Sequence, residues 1–338
     1  MGQLLSHPIE DKTLEYQSHN TLTYCIGSMQ GYRMTMEDAH DVKINESEKL
    51  AVFGVFDGHG GKTCSDYLAI HLPKLIFRGL NGKNDAMVSL ELKDYLRIIK
   101  DCFFQVDHDL SNQPNLINCG STGIVTTIVK NKYIIVANTG DSRCILSVNG
   151  QAKTMSYDHK PIIMNERIRV ENSNGYVLNN RINEVLALSR AFGDFKFKVP
   201  YIDTTRNKYI LKNRKYFKND LIHLPPELFQ VSVEPDFIVY DLSDPKSIPE
   251  FVIIACDGIW DCYKNSRLIQ IIRDKLALGW KLNKIIEFIL HDCLQMANNY
   301  TGIGFDNMTL IIVAVHTNNS IEDWYEHIKN KILKEKGL

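Results

Sequence analysis

Residues 123–129 and 133–137 are two runs rich in β-branched residues, separated by only three positions. A parallel crossover needs about a dozen residues or more, so this pair reads as an antiparallel hairpin. Similar runs recur at 50–56, 237–240, 251–255 and 308–315. Helical periodicity lies between some of them. Leu92, Leu96, Ile99, Phe103, Val106 and Leu110 share one helix face, and Ile286, Ile289, Leu290, Cys293 and Leu294 share another. A helix is expected after Lys62, kinked or ended by Pro73. Ile321, Trp324, Ile328 and Ile332 mark a last helix behind Ser320 as N-cap, expected to dock on the core. The hairpin-like spacing predicts an α+β fold of antiparallel sheets covered by helices, not a doubly wound parallel sheet.

Aspartates stand where these runs begin or end. Asp57 closes the run at 50–56 and precedes glycine, and Asp141 follows 133–137 in N-T-G-D. Asp257 closes 251–256, again before glycine, with Asp261 four residues on in D-G-I-W-D. Asp306 opens the last run in F-D-N-M-T, and a further acidic pair is Glu37-Asp38. One such aspartate is usually a turn former. Several brought together would repel one another, and a divalent cation removes that repulsion. The donors are hard oxygens without His/Cys ligand spacing, which favours Mg²⁺ or Mn²⁺ over zinc. Glycine at 58 lets its backbone carbonyl approach an ion closely. Two ions about 3.5–4 Å apart make water nucleophilic at neutral pH and clamp a phosphoryl oxygen. Arg33 offers the planar donor fork suited to phosphate, the competing reading being a surface ion pair with Glu37. His59, beside Asp57, is placed to protonate a leaving alkoxide.

Other phosphate chemistries fit less well. The stretch F-G-V-F-D-G-H-G-G-K-T ends like a nucleotide-binding P-loop, but the first glycine of G-x-x-x-x-G-K-[ST] falls on Phe56. Asp57 would then lie inside the phosphate cradle, so Gly61-Lys62-Thr63 reads as the start of a helix. None of the eight cysteines has arginine six positions on, which closes the C-x5-R phosphatase route, and no G-x-S-x-G elbow occurs. No C-x-x-C pair is present, and the cysteines read as reduced and buried. A formal net charge of -1 gives no pull toward nucleic acid or anionic membrane.

The motifs together resemble the metal-dependent protein phosphatases of the type 2C family, most closely its fungal members. They are M-Q-G-Y-R-M-T-M-E-D-A-H (29–40), V-F-D-G-H-G-G (55–61), C-G-S-T (119–122), N-T-G-D-S-R (138–143), D-H-K-P (158–161), L-A-L-S-R-A-F-G-D (186–194), C-D-G-I-W-D (256–261) and F-D-N-M-T (305–309). The resemblance implies a central β-sandwich of two antiparallel sheets flanked by helices on both sides, with a binuclear Mg²⁺/Mn²⁺ site at one edge. It implies hydrolysis of phosphoserine and phosphothreonine in proteins. By motif position, Asp57 would bridge both ions, the Gly58 carbonyl would bind one, and Asp257 and Asp306 would hold the other. Glu37 and Asp38 would act through bound water, Arg33 would bind phosphate, and His59 would be the acid. Asp141 and Asp261, with Asp257, match a third metal site; Thr122 and Asn307 fit as supporting residues. A noncatalytic phosphoprotein-binding module on the same fold is the alternative, and it predicts lost ligands.

The expected layout is one domain over 1–338, with its core at 22–316 and a docking helix at 320–336. A long basic flap at 195–230 is richer in Lys and Arg than is typical of the family. Docking of acidic phosphoproteins is one reading of it; a solvated loop is the plainer one. Gly2 opens an N-myristoylation pattern, M-G-x-x-x-S, giving at most weak membrane association. The chain is expected to be an intracellular, cytoplasmic monomer, with nuclear or peripheral membrane placement as variants.

Overall fold

The computed structural model describes residues 4–81, 90–113, 118–203, 221–244, 247–316 and 320–337. Gly2 and residues 204–220 of the basic flap lie outside them. The strands, in chain order, are β1 (Leu4–Ser18), β2 (Leu22–Arg33), β3 (Asp38–Asn45), β4 (Leu50–His59), β5 (Gly120–Ser121), β6 (Gly123–Val129), β7 (Tyr133–Thr139), β8 (Arg143–Val148) and β9 (Gln151–Thr154). They continue with β10 (Val177–Leu178), β11 (Arg181–Ile182), β12 (Phe192–Gly193), β13 (Tyr201–Asp203), β14 (Leu221–His223), β15 (Asp236–Asp241), β16 (Phe251–Ala255) and β17 (Met308–Val315). The helices are α1 (Thr63–Asn81), α2 (Leu92–Ser111), α3 (Met164–Asn172), α4 (Asp257–Trp260), α5 (Asn265–Ala277), α6 (Leu282–Gln295) and α7 (Ile321–Glu335).

Two antiparallel sheets form the centre, as expected. One runs β1-β2-β17-β16-β8-β9; the other runs β12-β5-β4-β6-β7-β15, with β3 also paired to β4. Strands β4, β6, β7, β16 and β17 are apolar on both faces because both faces are covered. Tyr24, Phe53, Ile124, Val136, Leu146, Ile254 and Val313 fill the layer between the sheets. Phe56, Leu68, Ile76, Ile99 and Phe103 pack α1 and α2 on one outer face. Ile272, Ile286, Leu290, Trp324 and Ile328 pack α5, α6 and α7 on the other. The order is therefore helix, sheet, sheet, helix.

The last helix docks as its apolar stripe requires. Its N-terminus is a capping box: Ser320 accepts from the Asp323 N–H, and the Asp323 side chain accepts from the Ser320 N–H. Trp324 donates its indole N–H to the Glu250 carbonyl at 3.1 Å, and Arg273 ties Glu250 to Glu335. These contacts hold α7 to the sheet and to α5.

Two expectations are corrected. Pro73 does not end its helix; α1 runs through it to Asn81. The ring is buried beside Gly54 of β4, so packing on the sheet outweighs the lost backbone hydrogen bond. The sheet also starts before residue 22, because β1 pairs along β2 from Ser18 back to Leu4. Within the flap, β13 and β14 pair on either side of residues 204–220. Lys198, counted among the flap's basic residues, is buried and binds both oxygens of Asp107 on α2, at 2.7 and 2.8 Å.

Candidate active site

The acidic residues gather because four strands deliver them to the same end of the sandwich. Asp38 and Asp57 are direct cross-strand partners in the β3–β4 pair. Asp257 follows β16 and Asp306 precedes β17, and those two strands are neighbours. Asp141 lies in the turn between β7 and β8. Among the described residues, oxygens of Asp57, Asp141 and Asp257 lie within 4.8 Å of one another, as do ligand atoms of Asp38, Asp57 and Cys256. Asp306 and Asp261 lie outside those two groups; Asp261 is the exposed C-cap of α4.

Crowding shows in the protonation of these groups. Burial pushes the Asp57 carboxyl well above the usual carboxylate range, and the charges of Asp257, Asp38, Asp306 and Asp141 push it further. Asp257 is raised in the same way, by burial and then by Asp141 and Asp306, with Lys160 opposing. Burial pushes Asp38 up to about 7, against the hydrogen bond it accepts from Thr309. Lys160 pairs with Asp141 and Arg33 pairs with Asp306. Arg33 does not pair with Glu37, the alternative raised from sequence. The Glu37 carboxylate instead accepts from Thr35 at 2.8 Å and from the Gly61 N–H at 3.0 Å.

The backbone around these carboxylates is fixed by close approaches. A Cβ on Gly258 would lie 2.0 Å from the Asn307 carbonyl oxygen, and one on Gly58 would lie 2.4 Å from the Glu37 carbonyl oxygen. Only glycine lets β16–α4 and β4 pass their neighbours at these points. Thr122 accepts from the Asp57 N–H through its hydroxyl at 3.1 Å, and its own N–H donates to the Asp57 carbonyl at 2.9 Å. Asn307 accepts from the Glu37 N–H at 2.8 Å and donates to the carbonyls of Gln30 and Thr35. Both therefore brace the backbone of neighbouring acidic residues.

His59 Nε2 lies 2.8 Å from Asp194 Oδ2. Burial works to lower the histidine's pKa, but the hydrogen bond and charge of Asp194 outweigh it and hold it above the ordinary value. Lys62, the P-loop lysine by spacing, instead pairs with Asp66 on the outside of α1 at 3.1 Å. All of this opens into a cleft of about 680 Å³, whose lining includes Arg33, Met34, Glu37, Arg181 and 185–188. Asp57, Gly58, His59, Asp141, Lys160, Asp257 and Asp306 all contribute to its lining.

Sequence reasoning did not single out Asp194, Lys160 or Cys256. Asp194 and Lys160 stood inside quoted motifs, but nothing in spacing pairs His59 with a residue 135 positions away. Cys256 has its Sγ in the acidic group and accepts from the Thr309 N–H at 3.1 Å. It read simply as one more apolar residue of its strand.

A family model described as "Protein phosphatase 2C" matches residues 22–301. The chain belongs to the protein phosphatase 2C family. Protein phosphatase 2C homolog 4 of Saccharomyces cerevisiae is 38% identical over 400 residues, with 100% of both chains covered. Protein phosphatase 2C homolog 2 of Schizosaccharomyces pombe is 33% identical, covering 100% of this chain and 85% of that one. Among solved structures, a phosphatase from Toxoplasma gondii superposes with a TM-score of 0.69 at 22% identity, covering 92% of this chain and 97% of that one. A Caenorhabditis elegans sex determining protein gives 0.66 at 23% identity, covering 93% and 69%. The two structures share the fold with this protein phosphatase 2C chain. Membership makes it a metal-dependent protein serine/threonine phosphatase, and nothing in the comparisons favours a noncatalytic module.

Proposed function

We propose that this protein phosphatase removes phosphate from phosphoserine and phosphothreonine in a single displacement by water, at a pair of Mg²⁺ or Mn²⁺ ions held in the carboxylate cleft. The observation that carries the proposal is the crowding of Asp57, Asp141 and Asp257 within 4.8 Å, with burial and mutual repulsion raising the carboxyls of Asp57 and Asp257. Such a cluster is stable as carboxylates only against positive charge, and its donors are oxygens, which suit these ions. Cys256 is the one soft donor in these two groups among the described residues, and its thiol is pushed up strongly by burial and by Asp38 and Asp57.

In this reading Asp57, the Gly58 carbonyl, Asp257 and Asp306 would hold the two ions. Glu37 and Asp38 act through water. Bound ions would supply positive charge to the phosphoryl oxygens and a water made nucleophilic at neutral pH. The chain's own groups do the rest. Arg33, on the cleft wall, turns its guanidinium to a phosphate oxygen, exchanging Asp306 for substrate. His59, hydrogen-bonded to Asp194, gives its proton to the departing serine or threonine oxygen. Lys160 pairs with Asp141, and Asp141 and Asp261, with Asp257, would hold a third ion. An intracellular setting belongs to the same proposal and is supported by eight free cysteines, seven of them buried. Membrane attachment through Gly2, and a monomeric state, are proposed on sequence grounds alone.

Phosphate release from phosphothreonine, phosphoserine and phosphotyrosine peptides, with Mn²⁺ or Mg²⁺ supplied, tests this. Turnover of the first two, lost in Asp257→Asn and Asp306→Asn, is expected. Equal turnover in those variants would overturn the assignment.

A further inference from the structure

Two of the sequence motifs are laced together beside the acidic cluster: D-H-K-P (158–161) and N-T-G-D-S-R (138–143). Asn138 donates to the Tyr157 carbonyl at 3.0 Å, Arg143 grips Asp158 through two bonds of 2.6 and 2.8 Å, and Lys160 pairs with Asp141. Between these contacts His159 takes hold of Gly140. Its backbone N–H donates to the Gly140 carbonyl at 2.9 Å, and its ring Nδ1 accepts from the Gly140 N–H at 3.0 Å. Both backbone groups of the residue before Asp141 are thus held by one histidine.

The turn needs such a splint. Gly140 has a φ of +118°, and a Cβ there would stand 2.6 Å from Cβ and Cγ2 of Thr122, so it can carry no side chain of its own to anchor it. Acceptance at Nδ1 fixes the histidine's tautomer. The ring proton sits on Nε2, which donates to Asp236 Oδ2 at 3.1 Å. Asp236 opens β15 directly opposite Asn138 and is held in turn by Arg190 at 2.8 Å. The hydrogen bond from His159, with the charge of Arg190, outweighs burial and holds the Asp236 carboxyl down to about 2, so it stays an acceptor. His159 itself is buried, with both ring nitrogens in use.

We infer that His159 is a positioning residue for metal binding: clamped by Asp236 at Nε2, it accepts the Gly140 N–H at Nδ1 and so sets the turn that presents the Asp141 carboxylate to Asp57 and Asp257. This rests on the carboxylate cleft binding divalent cations. Asp141 is one of the three carboxylates whose oxygens lie within 4.8 Å of one another, and a freed glycine turn would let it drift out of that group. Hydrogen-bond partners that orient a ligand in this way typically account for about 10–100-fold in metal affinity.

The test is Mn²⁺ titration of metal-free, full-length protein, read by the electron paramagnetic resonance of the free ion, beside thermal unfolding in EDTA. His159→Asn keeps an oxygen where Nδ1 accepts from Gly140 and gives up the reach to Asp236. His159→Gln keeps a donor toward Asp236 and leaves the Gly140 N–H unpaired. Each gives up one hydrogen bond, so Tm in EDTA should fall in both. Mn²⁺ affinity should separate them: at the site that Asp141→Asn also weakens, the glutamine variant should bind about 10–100-fold more weakly, and the asparagine variant within a few-fold of wild type. Added to Asp141→Asn, His159→Gln should weaken binding by less than about twofold more, because its effect passes through that carboxylate. A glutamine variant that binds like the wild type, an asparagine variant just as weak as the glutamine one, or fully additive losses in the double variant would overturn the inference and leave His159 a purely structural residue. A wild type that binds no Mn²⁺ would overturn the metal reading itself, and this inference with it.

Discussion

Replacing Asp57 by asparagine should stabilise the metal-free fold while destroying the response to metal. The side chain is nearly isosteric, and the Asp57 backbone keeps both of its hydrogen bonds to Thr122. What disappears is one of the three carboxylates that lie within 4.8 Å of one another. Two unit charges at that separation repel by about 3.5 kcal/mol at an effective dielectric of about 20. The wild-type cluster escapes most of this by holding protons, since the carboxyls of Asp57 and Asp257 are raised, and Lys160 offsets Asp141. A net gain of about 1–3 kcal/mol therefore remains for the variant at pH 8. The sign follows from linkage. A carboxyl raised in the folded state is neutral in both states at low pH and carries no penalty there; the penalty grows as pH climbs through the folded pKa. The gain should thus be near zero at pH 4 and largest at pH 8. For a chain of this size it corresponds to roughly 2–4 °C in Tm. Thermal unfolding in EDTA and in Mn²⁺, across that pH range, is the assay. In Mn²⁺ the order should reverse, because only the wild type gains from ion binding. A variant less stable than wild type in EDTA at pH 8, or one still stabilised by Mn²⁺ as strongly, would refute the reasoning.

Other sites give independent checks. Lys198→Met leaves Asp107 buried without its cation, and calorimetry should find a loss of about 3–5 kcal/mol at neutral pH. That loss should shrink in acid, because burial already raises the Asp107 carboxyl and a proton there relieves the unpaired charge. Gly258→Ala puts a methyl 2.0 Å from the Asn307 carbonyl, so α4 must shift; Mn²⁺ affinity measured by titration should fall at least tenfold. Asp194→Asn removes the charge that raises the pKa of His59, and kcat should fall by about 10²-fold with KM little changed. An unaltered kcat would remove His59 from the proposed mechanism.

The strands were legible because their apolar runs are buried on both faces, and the acidic site was legible because its residues close or open those runs. β1 was not, since none of its residues is buried: it is held by backbone pairing to β2, which leaves no pattern in side-chain hydropathy. Pro73 misled for the opposite reason. Its local preference is to end a helix, and burial beside β4 overrides it. The flap's composition suggested a solvated basic loop, yet Lys198 is buried on Asp107, a partner 91 residues away. His59 carried its own signal, but its dependence on Asp194 is a contact that only the closing of β12 on β5 creates. Spacing finds groups that one element presents; it does not find those that two distant elements assemble.

The central claim is that the carboxylate cleft binds divalent cations and that this binding is what makes phosphate monoesters hydrolyse. The most direct measurement is the initial rate of phosphate release from a phosphothreonine peptide as Mn²⁺ is titrated into EDTA-treated protein, with Asp57→Asn alongside. The account predicts a rate at background without metal, rising to saturation with Mn²⁺ in the wild type, and at least 10³-fold lower in the variant at every concentration. Turnover that survives EDTA, or a variant that follows the wild-type curve, would contradict it.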